Sequence, residues 1–353
     1  MMRSEGLVRC SMALCILLMG MSLVSCSRNA GTTTGSQTVL INGAGSTFGY
    51  PIYSRWADDF QKQHPNVQIN YQSVGSGAGI RQLLAGTVDF GASDAPMTDA
   101  QLAQSKSPVL HFPTVLGAVV PTYNIPGVTS ELKFTPQALA GIFLGKITKW
   151  NDPAIARANS GLKLPSASIV VIHRSDGSGT SFIWTDYLSK VSAEWKDKVG
   201  SGTSVNWPAG LGGKGSEGVT GLIQQTPNSV GYVELTYAIQ NHVLYGAVQN
   251  SSGAFVKASL ESVTAAAGSA ADSMPKDFRV SITNPSGKDA YPIASFTWLL
   301  VPTTITDAPK RDSIKSFLHW MLTGGQNDAE PLAYAKLPSD VTGKEDATIS
   351  EIH

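Results

Sequence analysis

Cysteine is nearly absent from this chain: there are three in 353 residues, Cys10, Cys15 and Cys26, all within the first 26 positions. Beyond that point neither a disulfide nor a thiolate metal site can form, so stability has to come from buried apolar area. A surplus of either charge is missing too. The 26 basic and 26 acidic residues cancel, which argues against a nucleic-acid binder or a polybasic membrane-surface protein and makes any anion site local. Six scattered histidines offer no metal-ligand spacing. The apolar run near the start is too short for a convincing membrane span. At 42% hydrophobic the chain can still bury a substantial core, and its length suits two domains better than one.

That early apolar run, Met12 to Val24, follows a basic start at Arg3 and Arg9 and ends in Leu23-Val24-Ser25-Cys26. This is the layout of a signal peptide. The final four residues resemble a bacterial lipobox, which implies cleavage before Cys26 and a lipid on Cys26; the alternative is an ordinary secretory signal with an incidental cysteine. Residues 26–38 are rich in Ser, Thr and Gly without aliphatic periodicity, and read as a flexible tether after a signal at 1–25.

Glycine is what the chain has in quantity, 35 residues, and three Gly/Ser/Thr loops stand out: Gly43-Ala44-Gly45-Ser46-Thr47, Gly75-Ser76-Gly77-Ala78-Gly79 and Asp176-Gly177-Ser178-Gly179-Thr180-Ser181. Each precedes a stretch of helical periodicity. A helix start offers unpaired N–H groups and a positive dipole end, and small side chains let an anion approach that backbone. One such loop is equally an N-cap behind an ordinary turn; three suggest one oxyanion held from several sides.

Strand and helix alternate around these loops. Thr38–Asn42, Val67–Tyr71 and Val88–Ala92 read as strands, and Ile52, Tyr53, Trp56 and Phe60 recur at helical spacing, with Ile80–Ala85 a short helix capped by Gly86. Leu110–Tyr123 is a long β-prone stretch suited to crossing between lobes. Phe134–Leu144 reads as helix, Ile169–His173 as strand, Phe182–Val191 as helix, and the glycine-crowded Gly200–Gly221 as loop. Val230–Leu235 and His242–Val248 read as strands and Leu260–Ala271 as helix. Pro292–Val301 reads as a return crossing and Ile314–Leu322 as an amphipathic helix. The expected fold is α/β and two-lobed: lobe 1 from 39–115 plus 290–353, lobe 2 from 116–289, two crossover strands, and hinge closure around a ligand.

Arg174 stands at a strand end, where its guanidinium can meet an anion through two parallel N–H donors, with Ser178 and Thr180 hydroxyls and the Gly179 and Thr180 N–H groups beside it. Asp176 is placed to orient that guanidinium. Asp94 is an acid at another strand end. It either caps the turn at Ala95-Pro96 or faces the anion, and then it favours an oxyanion that carries a proton over one, such as sulfate, that has none. His173 could add pH dependence or simply face the lobe interior. Enzyme motifs are poorly supported. Lys214 is followed by Gly215 and lacks the first glycine of a Walker A loop, Gly75-x-Gly77-x-Gly79 has the wrong spacing for a dinucleotide fingerprint, and no Gly-x-Ser-x-Gly elbow exists.

Gly43-Ala44-Gly45-Ser46-Thr47-Phe48, Asp89-Phe90-Gly91-Ala92-Ser93-Asp94-Ala95-Pro96, Asp176-Gly177-Ser178-Gly179-Thr180-Ser181-Phe182 and Gly210-Leu211-Gly212-Gly213-Lys214-Gly215 together resemble the phosphate-binding protein family of the bacterial phosphate-specific (Pst) ABC transporter. The likeness runs from residue 40 to about 340. It implies a type II periplasmic-binding-protein fold with phosphate in the interlobe cleft. The ligands it implies are Thr47 and Phe48 through backbone N–H with the Thr47 hydroxyl, Ser76, Asp94 as proton acceptor, Arg174, Ser178, Gly179 and Thr180. Ser46 departs from the family pattern, where alanine is also common. The expectation is a monomeric, extracytoplasmic, non-enzymatic binding protein without cofactor or metal. It would deliver phosphate to the membrane permease and ATPase subunits of an importer; a secreted phosphatase or a signalling lipoprotein is the alternative.

Overall fold

Parallel strands leading into helices open the computed structural model, which describes residues 38–268 and 274–353. The expected signal, the tether before Thr38 and Cys26 lie outside the described residues, as do residues 269–271 of the expected helix ending at Ala271. Strand β1 (Val39–Gly45) feeds α1 (Tyr50–Gln63), β2 (Val67–Ser73) feeds α2 (Ser76–Ala85), and β3 (Phe90–Ser93) precedes α3 (Asp99–Leu102). The long β4 (Val109–Asn124) is followed by β5 (Lys133–Phe134), α4 (Pro136–Phe143), α5 (Pro153–Ala156), β6 (Val170–Arg174), α6 (Gly179–Val191) and α7 (Ala193–Lys198). Next come β7 (Leu211–Gly213), α8 (Gly215–Gln225), β8 (Ser229–Glu234), α9 (Leu235–Gln240), β9 (Leu244–Tyr245), β10 (Ala247–Gln249), β11 (Phe255–Val256) and α10 (Leu260–Gly268). The chain closes with β12 (Ala294–Pro302), α11 (Ala308–Leu322) and α12 (Ser339–Ile349).

One sheet runs in the order β2-β1-β3-β12-β4-β8-β6-β7, with β9 also on β4, and a small one in the order β11-β10-β5. Strand β1 is parallel to β2 and β3, and β6 is parallel to β7 and β8. Between these parallel groups lie the antiparallel β12 and β4. The first part of β4, Val109 to Ala118, pairs with β12, and the rest, Val119 to Asn124, pairs with β8. A single strand therefore carries the chain from one α/β half to the other, as expected of a long β-prone stretch, and Pro113 and Pro121 interrupt its sequence without ending it. The return is tighter than a second crossover strand: β12 pairs only with β3 and β4, and the crossing falls just before it, where Val119 N–H donates to Ile293 O at 2.9 Å.

Local chemistry explains the helix limits. Pro51 begins α1, whose buried stripe is Ile52, Tyr53, Trp56 and Phe60. Thr135 caps α4 by accepting the Ala138 N–H, with Pro136 in the first turn, so that helix starts two residues after Phe134. The three small-residue loops are shorter than the sequence suggests. Gly43–Gly45 belong to β1, and α2 and α6 begin at Ser76 and Gly179, inside the loops. A Cβ on Gly79 would run into the backbone of Ala44 and Gly45, so glycine lets α2 lie directly on β1. Gly200–Gly221, expected as loop, contains β7 and the start of α8. Helix α8 buries Gly215, Ser216, Val219, Thr220 and Ile223 on one face, and that tertiary packing overrides the poor helix propensity of its glycines. His242–Val248 divides into β9 and β10 at Gly246.

Core packing is aromatic on both sides. Phe60 meets Phe317 edge-on with centroids 5.3 Å apart in the first half, and Trp184 stacks on Tyr232 at 5.0 Å in the second. Trp298 of β12 is fully buried and donates its indole N–H to Phe278 O at 3.0 Å. Trp298→Ala is expected to lower stability by about 3–5 kcal/mol in denaturant titration.

Candidate functional site

The carboxyl ends of parallel strands converge. β1 ends at Gly45 before Ser46 and Thr47, β2 at Ser73 before Ser76, β3 at Ser93 before Asp94, β6 at Arg174, and β7 at Gly213 before Ser216. Ligands in open α/β sheets sit at this edge, where helix starts follow the strands. Ser46, Thr47, Ser76, Asp94, Arg174, Ser178 and Thr180 are all polar and all buried. That is an unusual density of polar side chains in one place, and each needs a partner.

Asp94 is 1% exposed. Its Oδ1 accepts from Ser46 Oγ and, at 2.8 Å, from Thr297 Oγ1. Its Oδ2 has only the distant Ser76 Oγ at 3.4 Å, and Ser76 Oγ also accepts the Asp94 N–H at 3.3 Å. Burial pushes the carboxyl up to about 6, opposed by the Ser46 and Thr297 hydrogen bonds, the Arg174 charge and Ser76. Asp94 does not cap the Ala95-Pro96 turn. Ser93 does that, its Oγ accepting the Ala95 N–H at 3.1 Å.

Arg174, 3% exposed, is gripped by Asp176: Nε donates to Oδ1 at 2.8 Å and Nη2 to Oδ2 at 2.6 Å. Its Nη1 lies 3.4 Å from Thr180 Oγ1. Burial works against ionisation of Asp176, but the bidentate guanidinium and the Gly215 N–H outweigh it and hold the carboxyl below its ordinary value. A guanidinium has five N–H donors, so this pairing fixes its plane and leaves donors over. Ser178 caps α6, its Oγ accepting the Ser181 N–H at 3.0 Å. The cap uses an acceptor lone pair and leaves the hydroxyl proton to give, so capping and anion binding coexist. The first N–H groups of α6, at Gly179 and Thr180, have no carbonyl within the helix to meet.

The two halves touch around these residues. Gly77 N–H donates to Gly177 O at 2.9 Å. Thr47 Oγ1 lies 2.9 Å from Ser216 Oγ and accepts the Ser216 N–H at 3.3 Å. Tyr237 OH lies 2.7 Å from Thr47 O and 3.0 Å from Glu217 Oε1. A Cβ on Gly179 would come within 2.6 Å of both the N and the Oδ2 of Asp94, so only glycine allows the α6 start to approach that carboxylate. Phe48 is fully buried, and its carbonyl accepts from Tyr334 OH at 2.6 Å.

All eight residues expected to hold an oxyanion, with Asp176 in support, therefore lie along these converging strand ends and helix starts. His173 stands apart from the anion donors: its ring stacks on Trp207 with centroids 4.8 Å apart, Nδ1 contacts Arg174 O, and burial lowers its pKa. Sequence reasoning missed Thr297, more than two hundred residues from Asp94, and Ser216, hidden in the presumed loop. It also missed the fully buried Glu234, whose Oε2 accepts the Thr236 N–H at 2.7 Å and which burial holds well above the usual carboxylate range. Ser46 did carry a signal, as the one polar departure in the first loop.

Strand-end convergence, buried hydrogen-bond donors and two α/β halves joined through β4 are the layout of a solute-binding protein, and a model of the PBP superfamily domain matches residues 32–324. The phosphate-binding protein PstS of Xylella fastidiosa (strain Temecula1) is 48% identical over 321 residues, covering 89% of this chain and 87% of that protein. PstS of Pasteurella multocida is 46% identical over 313 residues, covering 88% and 90%. A putative phosphate ABC transporter substrate-binding protein from Clostridium perfringens, solved with bound phosphate, shares the fold with a TM-score of 0.62 and 20% identity, covering 85% of this chain and all of that one. The chain belongs to the PstS family of phosphate-binding proteins.

A buried acid raised in the folded state binds its proton more tightly than in the unfolded chain. Asp94 therefore contributes stability that is full at low pH and is lost as pH rises from about 4 through about 6. Above that window the ionised, ligand-free form bears a cost of about 2–3 kcal/mol. Asp94→Asn is expected to raise the melting temperature of the ligand-free protein at pH 8 and to leave it unchanged near pH 4. Gly179→Ala is expected to weaken anion binding at least a hundredfold in calorimetry, through the clash with Asp94, while α6 still folds.

Proposed function

We propose that the protein captures inorganic phosphate between two lobes, residues 39–115 with 290–353 and residues 116–289, and hands it to an ABC importer. The observation that carries this reading is Asp94: a buried carboxylate with Oδ1 held by two hydroxyls and Oδ2 met only by the long Ser76 contact, placed among donors suited to an anion. Such a group repels an oxyanion unless that oxyanion brings a proton, and phosphate near neutral pH always does. Thr47 and Phe48 N–H groups, the Thr47 hydroxyl, Ser76, Arg174, Ser178, Gly179 and Thr180 supply the donors, with Asp176 holding the guanidinium. Charge-assisted hydrogen bonds of about 1.5–3 kcal/mol each, against an association and closure cost of about 4–15 kcal/mol, allow micromolar or tighter affinity.

Capture and release, with no catalysis, is the chain's own role in this reading. Lipidation at Cys26 would tether a monomer to the outer side of the cell membrane, with the permease and ATPase subunits as partners. The local hydrogen bonding supports the non-enzymatic part, since Ser178 accepts a backbone N–H and His173 is engaged with Trp207 and Arg174 O.

Titration calorimetry with phosphate and sulfate tests the reading, and phosphate is expected to bind at least a hundredfold more tightly at pH 8. Arg174→Ala should abolish measurable binding; Asp94→Asn should weaken phosphate less and narrow the gap to sulfate. Equal affinity for the two anions would contradict the role of Asp94. Sustained turnover of a chromogenic phosphomonoester, abolished by Ser178→Ala, would overturn the transport reading.

A further inference from the structure

The hydroxyls behind Asp94 are arranged with a direction. Ser46 Oγ accepts the Gly49 N–H at 2.9 Å, so its own proton is left for its other partner, Asp94 Oδ1. Thr297 Oγ1 lies 2.8 Å from that same oxygen and 3.0 Å from Tyr53 OH, which in turn lies 3.0 Å from Thr114 Oγ1. All four side chains are buried. Thr297 can reach Asp94 because β12 and β4 slip register between Thr297 and Trp298: Thr297 faces Val115 and Trp298 faces Pro113, so Thr114 has no opposite number. A bulge of this kind re-aims side chains. Thr114 Oγ1 spends its proton on Thr297 O at 3.0 Å, so with one proton per hydroxyl the chain can run from Tyr53 to Thr297 to Asp94, each group donating toward the carboxylate and polarising the next.

We propose that Ser46 and Thr297 are positioning residues that set anion specificity: their two donated protons saturate Oδ1, hold Asp94 as an acceptor-only carboxylate, and present Oδ2 alone to the ligand. This rests on reading the cleft as a phosphate site. Without these donors the carboxyl takes up a proton at higher pH and becomes a donor itself, and a donor at Oδ2 suits a fully deprotonated oxyanion such as sulfate. The ionisable groups facing Asp94 are Arg174 of β6, Tyr53 of α1, Tyr71 of β2 and Glu234 at the end of β8. Burial raises both tyrosines, which keeps them neutral, and it lifts Glu234 well above the usual carboxylate range. Phosphate exchanges a proton of its own in this range and Glu234 is common to every variant, so the part of the pH response that belongs to Asp94 is the part that moves when its two hydroxyl donors are removed.

Calorimetry of the wild type, Ser46→Ala, Thr297→Val and Thr297→Ser with phosphate and with sulfate, at steps from pH 5 to pH 8, tests this. In the wild type, sulfate binding should emerge only as pH falls below about 6. In Ser46→Ala and Thr297→Val its onset should move up by about one pH unit, with the phosphate-to-sulfate ratio at pH 7 reduced about tenfold. Thr297→Ser, which keeps the hydroxyl, should restore the wild-type profile. Folded Ser46→Ala and Thr297→Val proteins that bind phosphate with the wild-type profile and ratio would overturn the inference alone. A wild type that binds neither anion would remove the phosphate reading, and the inference with it.

Discussion

A carboxylate taken out of water among buried hydrogen-bond donors is the constraint around which this molecule is arranged. Asp94 gains nothing from its position unless every lone pair is met, since a buried charge without partners costs several kcal/mol. Ser46 and Thr297 meet one oxygen directly, and the other has Ser76 Oγ at 3.4 Å and Gly179 close beside it. The arrangement requires β1, β3 and β12 to end or bend at the same level, which the sheet order β1-β3-β12 provides. It also requires glycine at 179, because any larger residue would collide with the same carboxylate.

The opposing half is built on a matching logic with the charge reversed. Arg174 is buried and would be equally costly alone, and Asp176 neutralises it through two parallel hydrogen bonds while fixing its plane. The contacts between halves around the site are polar: Gly77 with Gly177, Thr47 with Ser216, and Tyr237 with Thr47. Each such bond exchanges for water at small net gain, about 1 kcal/mol. An assembly joined by β4 and closed by such contacts can reopen, which a carrier that must release its cargo needs.

Much of this was legible in sequence, and the limits have physical causes. The alternation of Val67–Tyr71 marked β2, the Ile52-Tyr53-Trp56-Phe60 stripe marked α1, and the β-prone length of Leu110–Tyr123 marked the strand that joins the halves. Arg174 and Asp94 were readable as charged residues at strand ends, although an aspartate there is equally a turn residue and only the neighbouring small-residue loops favoured the site reading. Helix α8 was not readable, since its glycines argue for loop and only its packing face argues for helix. Thr297 was equally hidden: nothing local marks a threonine that a register slip turns toward a carboxylate. The second crossing appeared as a strand because Pro292–Val301 is mostly apolar, whereas the chain changes sides just before pairing resumes.

The most direct test of the account is a high-resolution structure of the phosphate complex at neutral pH. The account predicts one phosphate oxygen about 2.5–2.7 Å from Asp94 Oδ2, the distance of a charge-assisted O–H···O bond, with Ser46 and Thr297 still on Oδ1. The remaining oxygens should meet Arg174 and the N–H groups of Gly179 and Thr180. A phosphate seated away from Asp94, or an Asp94 carboxylate rotated so that Ser46 and Thr297 no longer share Oδ1, would contradict it.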